Sequence, residues 1–279
     1  MDVEAYRRTS HEVWEAMAPG WERWRAQLAD ALTPVREWLI GELGPRPGET
    51  VLELGAGTGE TGFEAAAILG DDGRLISTDF SPEMIEVARR RGTELGLGNV
   101  DYRVIDAERI ELDSRSVDGV LSQSTYMLVA DPATALAGTR RVLRPGGRLA
   151  LSVWGAPERN PWGSIGGMIL VESGHMAPPE PEGPGVFSMA SAKRTTALLE
   201  SAGFMYVRTE EVPVSFAFRA LDDYLQWVIE VAGPFAMVVR GLSDDEREVL
   251  RARLGEAFVP FATDAGYELP GVALCAVAS

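Results

Sequence analysis

Between residues 49 and 154, apolar runs of strand length alternate with runs of helical period. TVLELG, RLISTDF, VDYRVID, SVDGVLSQST and RLALSVWG read as strands, and GETGFEAAAILG, SPEMIEVARRRGTELG and DPATALAGTRRVL as helices. Ser81 and Asp131 stand where N-caps belong, and Pro82 and Pro132 follow at the first helical position. Strands that alternate with helices imply parallel neighbours joined by helical crossovers. The expectation is an α/β fold with a doubly wound parallel sheet.

The flanks read differently. From residue 10 to 43, helical spacing links Val13, Trp14 and Met17, then Trp21, Trp24 and Leu28, then Val35, Trp38 and Leu39. Two or three amphipathic helices are expected, broken near Pro19-Gly20 and Pro34, with GPRPGE as a linker. After Trp154 the pattern lapses, and residues 155–187, with SGHMAPPEPEGPG, read as a long loop. A helix follows in SAKRTTALLESAGF, then a long strand in MYVRTEEVPVSFAF that bends at Pro213. Residues 221–262 are helical, and GYELPGVALCAVAS closes with a strand.

A chain of 279 residues with 46% apolar content supports one large domain or two small ones. Its net charge of −16 repels nucleic acid and anionic membrane surfaces, so neither is an expected partner. The single cysteine, Cys275, precludes an internal disulfide and reads as a small core residue in VALCAV. MDVEAYRRTSHEVW lacks the apolar run of a secretory signal, and no run is long enough to span a membrane; a cytoplasmic protein is expected.

The loop in VLELGAGTGE carries the chemistry. A phosphate-gripping loop ends in Gly-Lys-Ser/Thr, and no lysine follows Gly59. The dinucleotide fingerprint matches at Gly55, Gly57 and Asp79, which makes a dehydrogenase the rival on the loop alone. Glu60 and Asp106 argue against a diphosphate there. Glu53, two residues before Gly55, suits a cationic ligand better than an anionic one.

These residues resemble the class I S-adenosylmethionine (SAM) dependent methyltransferases. ELGAGTG is similar to their first motif, Asp79 in ISTDFSPEMIEVAR to the acid ending their second strand, and Asp106-Ala107 to their adenine-edge pair. RRVLRPGGRLALSVW is similar to the helix, turn and fifth strand of the ubiquinone/menaquinone-biosynthesis (UbiE-like) type. The resemblance covers roughly residues 45–155. It implies a Rossmann-like seven-stranded sheet in the order 3-2-1-4-5-7-6, the last strand antiparallel beside the fifth, with helical caps at both ends. One methyltransferase domain is then expected over 1–279: an N-terminal helical cap in 1–44, a cofactor core in 45–154, a cap loop in 155–190, and C-terminal strands in 191–279 interrupted by a helical insertion at 220–263.

The resemblance also implies roles. Backbone at Gly55, Ala56, Gly57, Thr58 and Gly59 lies against the amino-acid part of SAM, and Glu53 orients that region. Asp79 accepts from the ribose hydroxyls, Phe80 and Met84 sandwich the adenine, and Asp106 and Ala107 meet its edge. Ser122 and Gln123 meet the methionyl ammonium. S-adenosylhomocysteine is the expected product, and no metal is expected, because Ser122 stands where metal-dependent relatives need an acid.

Methyl transfer needs a nucleophile held in line, and a base only where the acceptor loses a proton. His11, His175 and Tyr126 are the candidate bases, with Glu12 as a carboxylate alternative. Trp14, Trp21, Trp154, Trp162 and Trp227 fall in three cap segments and are the candidate lining of an apolar substrate pocket, together with Trp24, Phe235 and Met237. The expected acceptor is a quinone, polyketide or terpenoid-like molecule, and the expected protein a monomer or homodimer. A SAM-binding cyclase that transfers no methyl is the alternative. Residues 1–30 and 155–187 are expected to close over the site as a lid.

Overall fold

The computed structural model describes residues 2–180 and 183–279. Met1, Pro181 and Glu182 belong to the two expected lid segments and lie outside the described residues. Strands β1 (Thr50–Leu54), β2 (Arg74–Asp79), β3 (Val100–Val104), β4 (Val117–Gln123) and β5 (Leu143–Trp154) pair in parallel. The long strands β6 (Val207–Phe218) and β8 (Gly266–Ala278) complete the sheet, in the order β3-β2-β1-β4-β5-β8-β6. β8 lies antiparallel between β5 and β6, the place expected for the last strand. A two-residue strand, β7 (Ala262–Thr263), pairs with β8 and is additional to the expected seven.

Helices α3 (Glu60–Leu69), α4 (Pro82–Glu94) and α5 (Pro132–Val142) make the crossovers. Ser81 and Asp131 cap α4 and α5 as expected, accepting from Met84 N–H and from Ala133 and Thr134 N–H. Arg-Pro-Gly-Gly turns inside the start of β5, where the register on β4 jumps from Val117–Leu143 to Gly119–Arg148.

The flanks depart from expectation in three places. First, α1 (Val3–Ala31) is one helix of 29 residues with Pro19 inside it. Proline removes one helical hydrogen bond; docking of the next residue offsets that loss. Gly20 presses on α8 (Leu221–Val231) so closely that a Cβ would stand 2.0 Å from the Glu230 carbonyl oxygen. Trp21 and Trp24 donate their indole N–H groups to Val231 O and Glu230 Oε2, at 3.1 and 2.6 Å. The second break holds: α1 ends at Ala31 and α2 (Thr33–Leu43) begins with Pro34 at its second position.

Second, the expected loop contains α6 (Pro161–Glu172), which Pro161 starts and apolar packing holds. Third, β6 runs straight through Pro213, opposite Val272; among the described residues β6 pairs only with β8, and an edge strand tolerates a missing N–H. Helix α7 (Ala192–Ser201) precedes β6, and α9 (Pro234–Gly241) and α10 (Asp244–Ala257) follow α8.

Candidate functional site

The carboxyl ends of β1 to β4 share one edge of the sheet, where open α/β folds bind ligands. β1 runs out at Leu54 into Gly55-Ala56-Gly57-Thr58-Gly59, and α3 begins at Glu60. Gly55 and Gly57 have φ of 67° and 55°, the left-handed region that other residues enter only at a cost. Thr125 fills the space beside Gly55, its Oγ1 2.1 Å from where a Cβ would be. Beside Gly57 the nearest atom to that position is Trp21 Cε3, at 4.0 Å, so the loop backbone faces an indole ring.

Two buried carboxyls back the loop. Asp79, at the end of β2, accepts from Gly57 N–H through Oδ2 and from Ser81 N–H through Oδ1, both at 3.0 Å. Burial pushes its pKa up, and these N–H groups, Phe80 N–H and the nearby His11 pull it back. Glu53 accepts from Gly62 N–H at 2.7 Å and from the Ser77 hydroxyl at 3.0 Å. Burial pushes its carboxyl up to about 8 against those two bonds. Only glycine fits at 62, since a Cβ would come 2.1 Å from Glu53 Oε2.

The remaining expected cofactor residues gather around this pair. Phe80 is half-buried and Met84 buried, at the start of α4. Asp106 accepts from Glu108 N–H at 2.9 Å, beside buried Ala107. Gln123 accepts from the Thr61 hydroxyl at 2.9 Å and stays half-buried at the strand end. Ser122 is fully buried and donates to Leu54 O at 3.1 Å; it braces β4 on β1 and presents nothing to a ligand.

Helix α1 roofs all four strand ends. Tyr6 donates to Leu128 O after β4 at 2.7 Å, and Arg7 bonds Glu108 after β3 at 2.8 and 3.4 Å. His11 sets its ring edge-on to Phe80 after β2, with centroids 5.5 Å apart. Ala18, Trp14 and Trp21 pack on Met84 and Val87 of α4. Arg25 closes the series on Glu60 at 2.7 Å.

The candidate bases separate. His11 alone stands at the strand ends, its Nδ1 held 3.0 Å from Glu15 on the next turn. His175 lies after α6 in a hollow shared with Leu170 and Leu250, 3.9 Å from Glu246 of α10. Tyr126 has no exposure; its hydroxyl meets Thr139 at 2.6 Å, and burial raises its pKa.

The expected pocket lining separates too. Trp14 and Trp21 belong to the roof, whereas Trp154, Trp162 and Trp227 stack in a buried nest with Phe216, Phe218 and Tyr224. The Trp154–Trp162 centroid distance is 4.5 Å, and the Trp162 indole N–H is bound by Asn160 at 3.0 Å. These three rings hold α6 and α8 onto the sheet. Residues not singled out from sequence also build the site: Gly62, Ser77, Thr125, Glu108 and Arg25. A glycine inside a helical pattern was a visible signal for Gly62; the others carried none.

SAM presents two ribose hydroxyls, an adenine, a sulfonium, an ammonium and a carboxylate. A carboxylate offers about four acceptor positions. Backbone N–H groups reach Asp79 from within the fold, which leaves acceptor capacity for a diol. Phe80 and Met84 give apolar side chains beside it, and at Gly57 the loop itself puts no side chain between its backbone and the Trp21 ring. The residues fit the cofactor.

Residues 45–167 match the family model of a methyltransferase domain. The chain is 32% identical over 152 residues to aklanonic acid methyltransferase DauC of a Streptomyces species, covering 54% of this chain and 68% of that one. It is 34% identical over 126 residues to the ubiquinone/menaquinone biosynthesis C-methyltransferase UbiE of Teredinibacter turnerae, covering 45% and 51%. The crystal structure of a SAM dependent methyltransferase from Aquifex aeolicus superposes with a TM-score of 0.50 at 25% identity, covering 63% of this chain and 83% of that one. The chain spans about half the length of the first curated relatives it matches. The matched segment takes in β1 to β5, the glycine loop and both buried carboxyls, and the chain belongs to the class I methyltransferases whose cofactor is S-adenosylmethionine.

Proposed function

We propose that the protein methylates an apolar small molecule of moderate size, in the manner of the quinone- and polyketide-modifying members of its family. The likeness to UbiE and DauC supports that substrate class. One structural observation carries it: α1 lays Trp14 and Trp21 over the glycine loop and the start of α4, an aromatic roof suited to an apolar guest.

When bound, SAM supplies an electrophilic methyl group on a sulfonium. The chain's own residues hold and orient. Asp79 takes the ribose, Phe80 and Met84 the adenine face, and Asp106 with Ala107 its edge. Gln123 meets the ammonium, and Glu53 fixes the loop from behind. The roof excludes water. Orientation of this kind removes up to about 7–11 kcal/mol of barrier in favourable cases. His11 sits against Phe80, on the nucleoside side, so the transfer rests on alignment rather than on a base.

Isotope-labelled SAM offered with naphthoquinol and anthraquinone acceptors tests this by mass spectrometry. Label in the acceptor supports the reading. Label retained on SAM with every acceptor unchanged removes it. A rearranged acceptor without label establishes the cyclase alternative.

A further inference from the structure

We infer that Arg25 reads the α-carboxylate of the cofactor, exchanging its bond to Glu60 for one to the ligand. The inference rests on SAM occupying the glycine loop as proposed above.

The loop is a hard place for an anion. Asp79 accepts from Gly57 N–H and Glu60 follows Gly59 directly, in a chain of net charge −16. Yet the amino-acid end of SAM carries a carboxylate as well as an ammonium, and the carboxylate needs a cation. Arg25 is one turn past Trp21, the residue that covers Gly57. Its guanidinium already holds a carboxylate, Glu60 Oε1 at 2.7 Å, at the first residue of α3. The side chain is 26% exposed, so it is desolvated enough to bind strongly and free enough to turn. A planar fork of N–H donors matches a carboxylate bidentately, which a lysine does not.

Glu60 makes the exchange possible. It has a second partner, Arg91 of α4, whose Nε lies 3.4 Å from the same oxygen. When Arg25 turns to the ligand, Glu60 keeps a cation and no carboxylate is stranded. Arg91 is the poorer reader, because it also binds Glu94 on its own helix at 3.1 Å.

Calorimetry on the full chain tests the exchange with two ligands. S-adenosylhomocysteine carries the amino-acid carboxylate, and 5′-methylthioadenosine lacks the whole amino-acid end. Arg25→Ala is expected to weaken S-adenosylhomocysteine about 10- to 100-fold, the scale of a charge-assisted hydrogen bond. The same variant should bind methylthioadenosine within about twofold of wild type. Glu60→Gln frees Arg25 and is expected to leave S-adenosylhomocysteine binding equal or tighter. Equal loss of both ligands in Arg25→Ala, or no loss of either, overturns the inference. So does a Glu60→Gln variant as weak as Arg25→Ala, which would make the pair a structural seam. If wild type itself binds no S-adenosylhomocysteine, the cofactor reading falls first and this inference with it.

Discussion

Trp21 covers Gly57 and donates its indole N–H to Val231 O at 3.1 Å, so one side chain joins the glycine loop, the N-terminal helix and α8. With SAM seated on the loop as proposed, the ring would face the cationic end of the cofactor. Trp21→Ala is expected to weaken S-adenosylhomocysteine and SAM unequally, with the sulfonium ligand losing more, by about 0.5–2 kcal/mol for the cation–π share. Calorimetry with both ligands measures the difference. Equal losses would leave Trp21 a packing residue. Hydrogen exchange along α1 should slow when either ligand binds.

Asp79 is expected to govern nucleoside binding. Asp79→Ala should cost about 1.5–3 kcal/mol of S-adenosylhomocysteine affinity, the range for hydrogen bonds to a charged group. Wild type should show no comparable response to NAD. Micromolar NAD binding without a response to S-adenosylhomocysteine would return the loop to the dinucleotide class.

Glu53 makes stability fall as pH rises. Its carboxyl titrates from a reference near 4.5 when unfolded to about 8 when folded, because burial disfavours the charge. Between those values the folded chain binds more protons, so this group's contribution is fully present below the lower value and is lost as pH passes the upper one. Asp79 acts with the same sign. Glu53→Gln should flatten the decline in melting temperature across that window. An unchanged slope would show that Glu53 is ionised in the folded chain.

His11 tests where the chemistry ends and the binding begins. Its ring lies edge-on to Phe80 and its Nδ1 meets Glu15. His11→Ala is expected to weaken S-adenosylhomocysteine about 2- to 10-fold, the scale of one aromatic contact. Turnover at saturating SAM should hold. A turnover loss near 10²-fold at unchanged affinity would instead make His11 the general base. His175→Ala, at the α6–α10 hollow, should change neither.

The strands, their crossovers and the glycine loop were legible because local signals agree there: apolar runs, caps at Ser81 and Asp131, and glycines where φ is positive. The unbroken α1 was not, because Pro19 reads locally as a stop, and contact between Gly20 and the Glu230 backbone overrides it. α6 was hidden by prolines on both sides of a short apolar segment. Trp154, Trp162 and Trp227 show the limit of composition: aromatic residues in cap segments look alike whether they line a pocket or fill a core. Thr125 and Arg25 act through positions that only the folded chain brings to the loop.

The seating of β8 between β5 and β6 sets an order on synthesis. While the chain is being made, β5 and β6 emerge before the strand that joins them. Until β8 arrives, β5 presents an open apolar edge and β6, twelve residues long, has no strand to pair with. Both are templates for pairing with another nascent chain. Expression at low temperature or with chaperones should therefore raise the yield of native protein more than it raises total synthesis, and a stop codon placed before residue 266 should send the product to the insoluble fraction even though the glycine loop and its roof are already complete.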